Sequence, residues 1–176
     1  MMVRLAAACL ALAAAGAGTA RLRREDAIRL PVPVIAQTPE HCGPAALEMV
    51  MRFHGAPDSV AAEAEYAYST ALRGALITDL ARVARHAGFE ALVTTLTEDS
   101  LLVLLRDSIP PILHYRVGSA PLTRGHFGVL AGWDPARREY LVNDGGAHTA
   151  RFRRDDLMKR WRAADSLALV VRRPSR

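Results

Sequence analysis

The sequence predicts an α+β domain: a helical first part, with one buried helix, packed on a C-terminal antiparallel sheet. Three observations carry this. A nearly all-apolar helical run follows Cys42, further helix signals continue to Arg106, and from Ile112 the pattern changes to short β-like runs. Apolar residues make up 51% of the 176 and charged residues 23%, which suits one globular domain with a sizeable core.

Residues 1–20 read as an export signal. Arg4 gives a basic start, Leu5 to Gly16 is an unbroken apolar or small-residue run, and Ala15-Gly16-Ala17 and Gly18-Thr19-Ala20 suit a signal peptidase. The run is shorter than the ~20 residues that a spanning helix needs, and Cys9 lies inside it, too early for a lipid anchor. The expectation is an exported chain, periplasmic or extracellular, with residues 21–29 as a charged linker, residues 30–176 as the domain and no stable membrane span once the signal is removed. Cys42 would then be the sole thiol, which excludes an internal disulfide and points to a reactive group or an intermolecular bridge.

Leu30 to Ile35 contains Pro31 and Pro33 and must run extended, as an edge strand or across the surface. The next helix begins at Cys42. Pro44 suits its first turn, where a missing N–H costs nothing, and Gly55 suits its left-handed stop. Ala46, Leu47, Met49, Val50, Met51 and Phe53 leave only Glu48 and Arg52 as a charged strip, at pairing distance. Pro57-Asp58-Ser59 opens a helix through Val60 to Tyr66, and Tyr68 to Ala75 is a loop around Gly74. Thr78 is the expected cap of a helix over 79–87 that stops at Gly88. Phe89 to Thr95 holds a short strand, and Thr97 starts a helix through Arg106 with acidic residues in its first turn. Strands are expected at Ile112–Tyr115, His126–Trp133, Tyr140–Asn143 and Leu167–Val171, with Asp134 to Arg137 as a hairpin turn between the second and third. Asp155 to Trp161 reads as a short helix.

The chemistry centres on Cys42. At the start of a buried helix it feels the positive end of the helix dipole, which favours thiolate over thiol. To cleave an amide it needs a base, a group to orient the base and donors for the oxyanion. His126, between Gly125 and Gly128 at a strand start, is the candidate base. The hairpin sets Asp144 beside it as the orienting acid; Asn143 competes for that role, but alternation points it to the other face. Gln37, five residues before Cys42, can pair its side-chain amide with the Cys42 N–H to hold an oxyanion.

Gln37 to Gly55, with its Cys42-Gly43-Pro44-Ala45-Ala46 core, followed by Gly125-His126-Phe127-Gly128-Val129 and Val142-Asn143-Asp144, resembles the C39-like cysteine peptidases of the papain-like fold. The resemblance covers residues 30–172 and implies that Cys42 is the nucleophile, His126 the base, Asp144 the orienting acid and Gln37 the oxyanion-hole side chain. His41 stands where that family commonly has aspartate, and Gly145 where it often has proline. Well-known members are transporter domains that trim leader peptides after a double glycine. This sequence shows no P-loop or membrane bundle, so an envelope or transporter partner would be a separate chain.

The expected function is therefore peptide-bond hydrolysis by an exported cysteine peptidase, possible roles including peptide processing. Two rivals use the same fold: a non-catalytic peptide-binding module of the cell envelope, and an acyl transferase or amidase built on the same triad. No cofactor or metal is expected, since there is no His-Glu-x-x-His, no paired-cysteine spacing and no phosphate loop. A formal charge of +5 spread over scattered arginines, with 6% aromatics, offers no nucleic-acid platform. His114, His148, Trp133 and Trp161 read as core or surface residues, with Trp133 able to line a cleft near His126.

Overall fold

A computed structural model describes residues 27–38, 40–119 and 121–174. The expected signal segment 1–20 and most of the linker lie outside these residues. Helix α1 (Cys42–Phe53) forms as its pattern dictates: Ala46, Leu47, Met49, Val50 and Met51 are all buried, and each large side chain among them contributes about 2 kcal/mol of apolar burial. Arg52 reaches back to Glu48 at 2.9 Å. The helix stops where Gly55 turns left-handed (φ +77°), and the N–H groups of Gly55 and Ala56 cap the carbonyls of Arg52 and Met51.

The segment expected to be one helix after Pro57 is two. Helix α2 (Asp58–Ala61) passes into a 3₁₀ helix (Ala62–Ala67), which buries Ala64 and Ala67 against α1. Helix α3 (Ile77–His86) starts earlier than expected. Leu76, not Thr78, holds the cap position, and it does so through its carbonyl, because Ile77 packs into the core and draws the first turn forward. Helix α4 (Glu98–Arg106) is capped as its sequence indicates, with Thr97 Oγ1 accepting from the Ser100 N–H at 3.2 Å.

Among the described residues seven strands form one antiparallel sheet: β1 (Ile28–Arg29), β2 (Glu90–Thr95), β3 (Ile112–Val117), β4 (Arg124–Asp134), β5 (Glu139–Asn143), β6 (Ala150–Arg153) and β7 (Leu167–Arg172). Their order is β2-β7-β3-β4-β5-β6, with β1 pairing the far end of β4. Two strands go beyond the sequence reading. β6 alternates exposed arginines with half-buried Ala150 and Phe152, and its arginines hide the β pattern. β1 falls at the end of the expected linker, just before the prolines rather than on them, and the proline segment buries Val32 instead of forming an edge strand.

Helices cover both faces of the sheet, where the sequence suggested a helical half against a sheet half. α1, α3 and the 3₁₀ helix pack on Ile112, Phe127, Val129, Ala131, Leu169 and Val171. On the other face, α4 and α5 (Arg154–Arg162) pack on Leu113, Tyr115, Leu130, Tyr140 and Ala168. A register shift between Leu130 and Gly132 re-aims β4, so Trp133 joins the second face and packs on Tyr140 rather than lining a cleft. Among the described residues no helix is long and apolar enough to cross a membrane.

Candidate active site

The site lies where the N-terminus of α1 meets the start of β4 and the end of β5. Cys42 is the first residue of α1 and is half-buried. Gly43 behind it packs so close to Ala75, Phe127 and Leu80 that a Cβ would stand 2.8 Å from the Ala75 methyl, so the helix start is pressed onto β4. Burial pushes the Cys42 thiol up, but the His126 hydrogen bond, the Phe127 N–H, the His126 charge and the Gly43 N–H together hold it below its ordinary value. For His126 burial acts downward. The hydrogen bond and charge of Cys42, then the carbonyl and charge of Asp144, more than offset it, and the imidazole sits above its ordinary value. Each shift is in the direction that favours the charged form, thiolate on Cys42 and imidazolium on His126.

The orientation of His126 comes from the sheet. Tyr115 is its direct cross-strand neighbour, and its ring meets the imidazole edge-on at 5.3 Å. The Tyr115 hydroxyl is buried without a hydrogen-bond partner among the described residues. His126 Nε2 donates to the main-chain carbonyl of Asp144 at 3.0 Å, which leaves Nδ1 for the cysteine. The residue is the one named by the sequence, but the hydrogen-bonding atom is its carbonyl and not its carboxylate. The carboxylate acts on His126 through its charge.

Gln37 arrives from the other side. Its N–H donates to the Gly145 carbonyl at 3.2 Å, and its side-chain Nε2 donates to the same Asp144 carbonyl at 3.1 Å. Gly145 makes this possible. It has φ +96°, and a Cβ there would fall 2.0 Å from the Gln37 amide, so a proline, with its fixed negative φ, has no place. Asn143 points away from His126, as alternation requires. Its Nδ2 donates to the Val32 carbonyl at 3.2 Å and to the Pro33 carbonyl at 3.4 Å, and its Oδ1 accepts from Thr149 at 2.8 Å. This buried amide anchors the proline segment that delivers Gln37.

The loop before Cys42 is clamped as well. Glu40 adopts φ +75° and accepts from Arg73 Nε at 2.9 Å and from Tyr68 at 3.3 Å. His41 stacks on Tyr68 at 4.2 Å and bonds Thr38 and Glu65. A departure from the aspartate of the resembled family is thus absorbed into a network that ties the loop to the 3₁₀ helix and the 68–75 turn. That turn, closed by paired Ser69 and Gly74, carries Leu72 and Arg73 to the cleft wall. The cleft holds about 730 Å³ and is lined by all four sequence-derived residues, together with His114, Phe127 and Arg124. His114, read from the sequence as core or surface, is a cleft residue that only the strand pairing reveals.

Residues 29–169 match the sequence profile of the Peptidase C39 like family. The chain belongs to this family. Among solved structures, a putative C39-like peptidase from Bacillus anthracis is similar over 86% of this chain and 100% of its own, at 16% identity and a TM-score of 0.70. The peptidase domain of Streptococcus ComA, a bi-functional ABC transporter of a quorum-sensing pathway, is similar over 81% of this chain and 99% of its own, at 20% identity and a TM-score of 0.64. A double glycine motif protease from an AMS/PCAT transporter, solved in complex with the leader peptide, is similar over 83% of this chain and 94% of its own, at 20% identity and a TM-score of 0.63. No curated protein matches the sequence. These likenesses fix the fold as the papain-like fold of C39 peptidase domains.

Proposed function

We propose that this C39-like protein is an exported cysteine peptidase that hydrolyses peptide bonds through Cys42, His126 and Asp144, with Gln37 in the oxyanion hole. The observation that carries the reading is the convergence of Cys42, His126, Asp144 and Gln37 on one cleft, with the Asp144 carbonyl accepting from both His126 and Gln37, and the lowered thiol beside the raised imidazole supports it. The Cys42 thiolate attacks the substrate carbonyl. The oxyanion accepts from the Cys42 N–H, which has no helical acceptor at the first position of α1, and from Gln37. The Gln37 amide has two N–H bonds, and only one is needed for Asp144. His126 then protonates the departing amine, the C–N bond breaks, and a thioester remains on Cys42. A water molecule, losing its proton to His126, hydrolyses that thioester and returns the thiolate. Asp144 holds the imidazole with its carbonyl and favours the imidazolium with its charge.

The double glycine motif protease from an AMS/PCAT transporter was solved in complex with the leader peptide, and this supports a peptide or protein substrate here, presented in the envelope with or without a transporter supplied by a separate chain. The signal-like residues 1–20 support export. The test is incubation of the protein with a mixed peptide library read by mass spectrometry. Cleavage is expected in the wild type and absent in Cys42→Ala, and protein recovered from the periplasm is expected to begin after Ala17 or Ala20. An uncut library with the wild type would count for the binding-module reading.

A further inference from the structure

His114 is the second histidine of the cleft, and the mechanism above does not use it. It stands opposite Phe127 across the β3–β4 pair, with the two rings 5.0 Å apart, and it lines the cleft with Cys42 and His126. Its ring lies across Gly125, where a Cβ would stand 2.5 Å from Nε2. A side chain at position 125 would therefore displace the imidazole. Burial, then the Arg116 charge, outweigh the pull of Asp165 and, with the His126 charge, hold His114 below the ordinary histidine value. A neutral imidazole carries one N–H donor and one acceptor lone pair. Neither nitrogen has a hydrogen-bond partner among the described residues. A half-buried donor and acceptor left open to a cleft is what fixes the orientation of the molecule that fills it.

We infer that His114 is a specificity-determining residue: its imidazole hydrogen-bonds the backbone of the bound peptide beside the bond that Cys42 attacks. This inference rests on the peptidase reading.

The test compares two alkylating probes on the full chain, followed at the Cys42 peptide because Cys9 is also present. Iodoacetamide senses the thiolate alone. Acetyl-Gly-Gly chloromethyl ketone, from which the thiolate expels chloride, adds backbone amides and no side chains. In His114→Phe, which keeps a ring over Gly125 but no donor or acceptor, the ratio of peptidyl to iodoacetamide rates is expected to fall about tenfold, the worth of one or two hydrogen bonds. In His114→Gln it is expected to stay within about threefold of wild type. The iodoacetamide rate itself stays at the wild-type value in both. An unchanged ratio in His114→Phe overturns the inference, and so does an iodoacetamide rate that falls in step with the peptidyl rate. A wild-type Cys42 that titrates as an ordinary thiol removes the peptidase reading, and this inference with it.

Discussion

His126 and His114 stand on neighbouring strands at one cleft, and burial penalises the charged form of each. They end on opposite sides of the ordinary histidine value. His126 has a cysteine on one nitrogen and the Asp144 carbonyl on the other, so its positive charge is stabilised. For His114, burial and the charges of Arg116 and His126 outweigh the pull of Asp165, so its charge is opposed. Being a buried histidine in a cleft does not make a base. The partners set the direction in which each histidine is shifted, and on the proposed reading that separates the one that moves a proton from the one that presents a hydrogen bond.

Three substitutions sharpen this contrast. The largest effect is expected from His126→Ala, which removes the proposed base, the group assigned both to form the thiolate and to protonate the amine. Peptide hydrolysis should fall by about 10³-fold, measured as kcat/KM, and a fall no larger than that of His114→Phe would erase the distinction. Gln37→Ala comes next. Loss of one oxyanion donor costs about 10²-fold in kcat, with Cys42 alkylation by iodoacetamide unchanged, since no oxyanion forms in that reaction. The smallest effect is expected from Asp144→Ala, about tenfold, because the carbonyl that holds Nε2 is retained and only the carboxylate charge goes. A loss as large as that of His126→Ala would show that the carboxylate turns to the imidazole during turnover.

The buried helix and its cysteine were legible from local signals, because Pro44, Gly55 and the apolar run all act within a few turns of chain. The meeting of Gln37, His126 and Asp144 was legible only as a set, since each is an ordinary residue in isolation. What stayed hidden depends on long-range pairing. The cross-strand neighbours His114–Phe127 and Tyr115–His126 follow from the β3–β4 register, which no local pattern specifies. The same is true of Asn143, whose amide finds the carbonyls of Val32 and Pro33 far back in the chain. That Asp144 uses its carbonyl follows from the turn at Gly145, where a left-handed glycine admits Gln37 to the same oxygen.

The pH dependence of the cysteine tests the central claim most directly. The lowered thiol and the raised imidazole each favour the charged form, and the proposed pair is lost towards acid as the sulfur takes up a proton and towards alkali as the imidazolium loses one. Iodoacetamide labelling of Cys42, measured against pH in wild type and His126→Ala, is expected to remain rapid in the wild type well below the free-thiol value of ~8.5 and to revert to an ordinary thiol titration in the variant. Ordinary titration in both proteins would contradict the account.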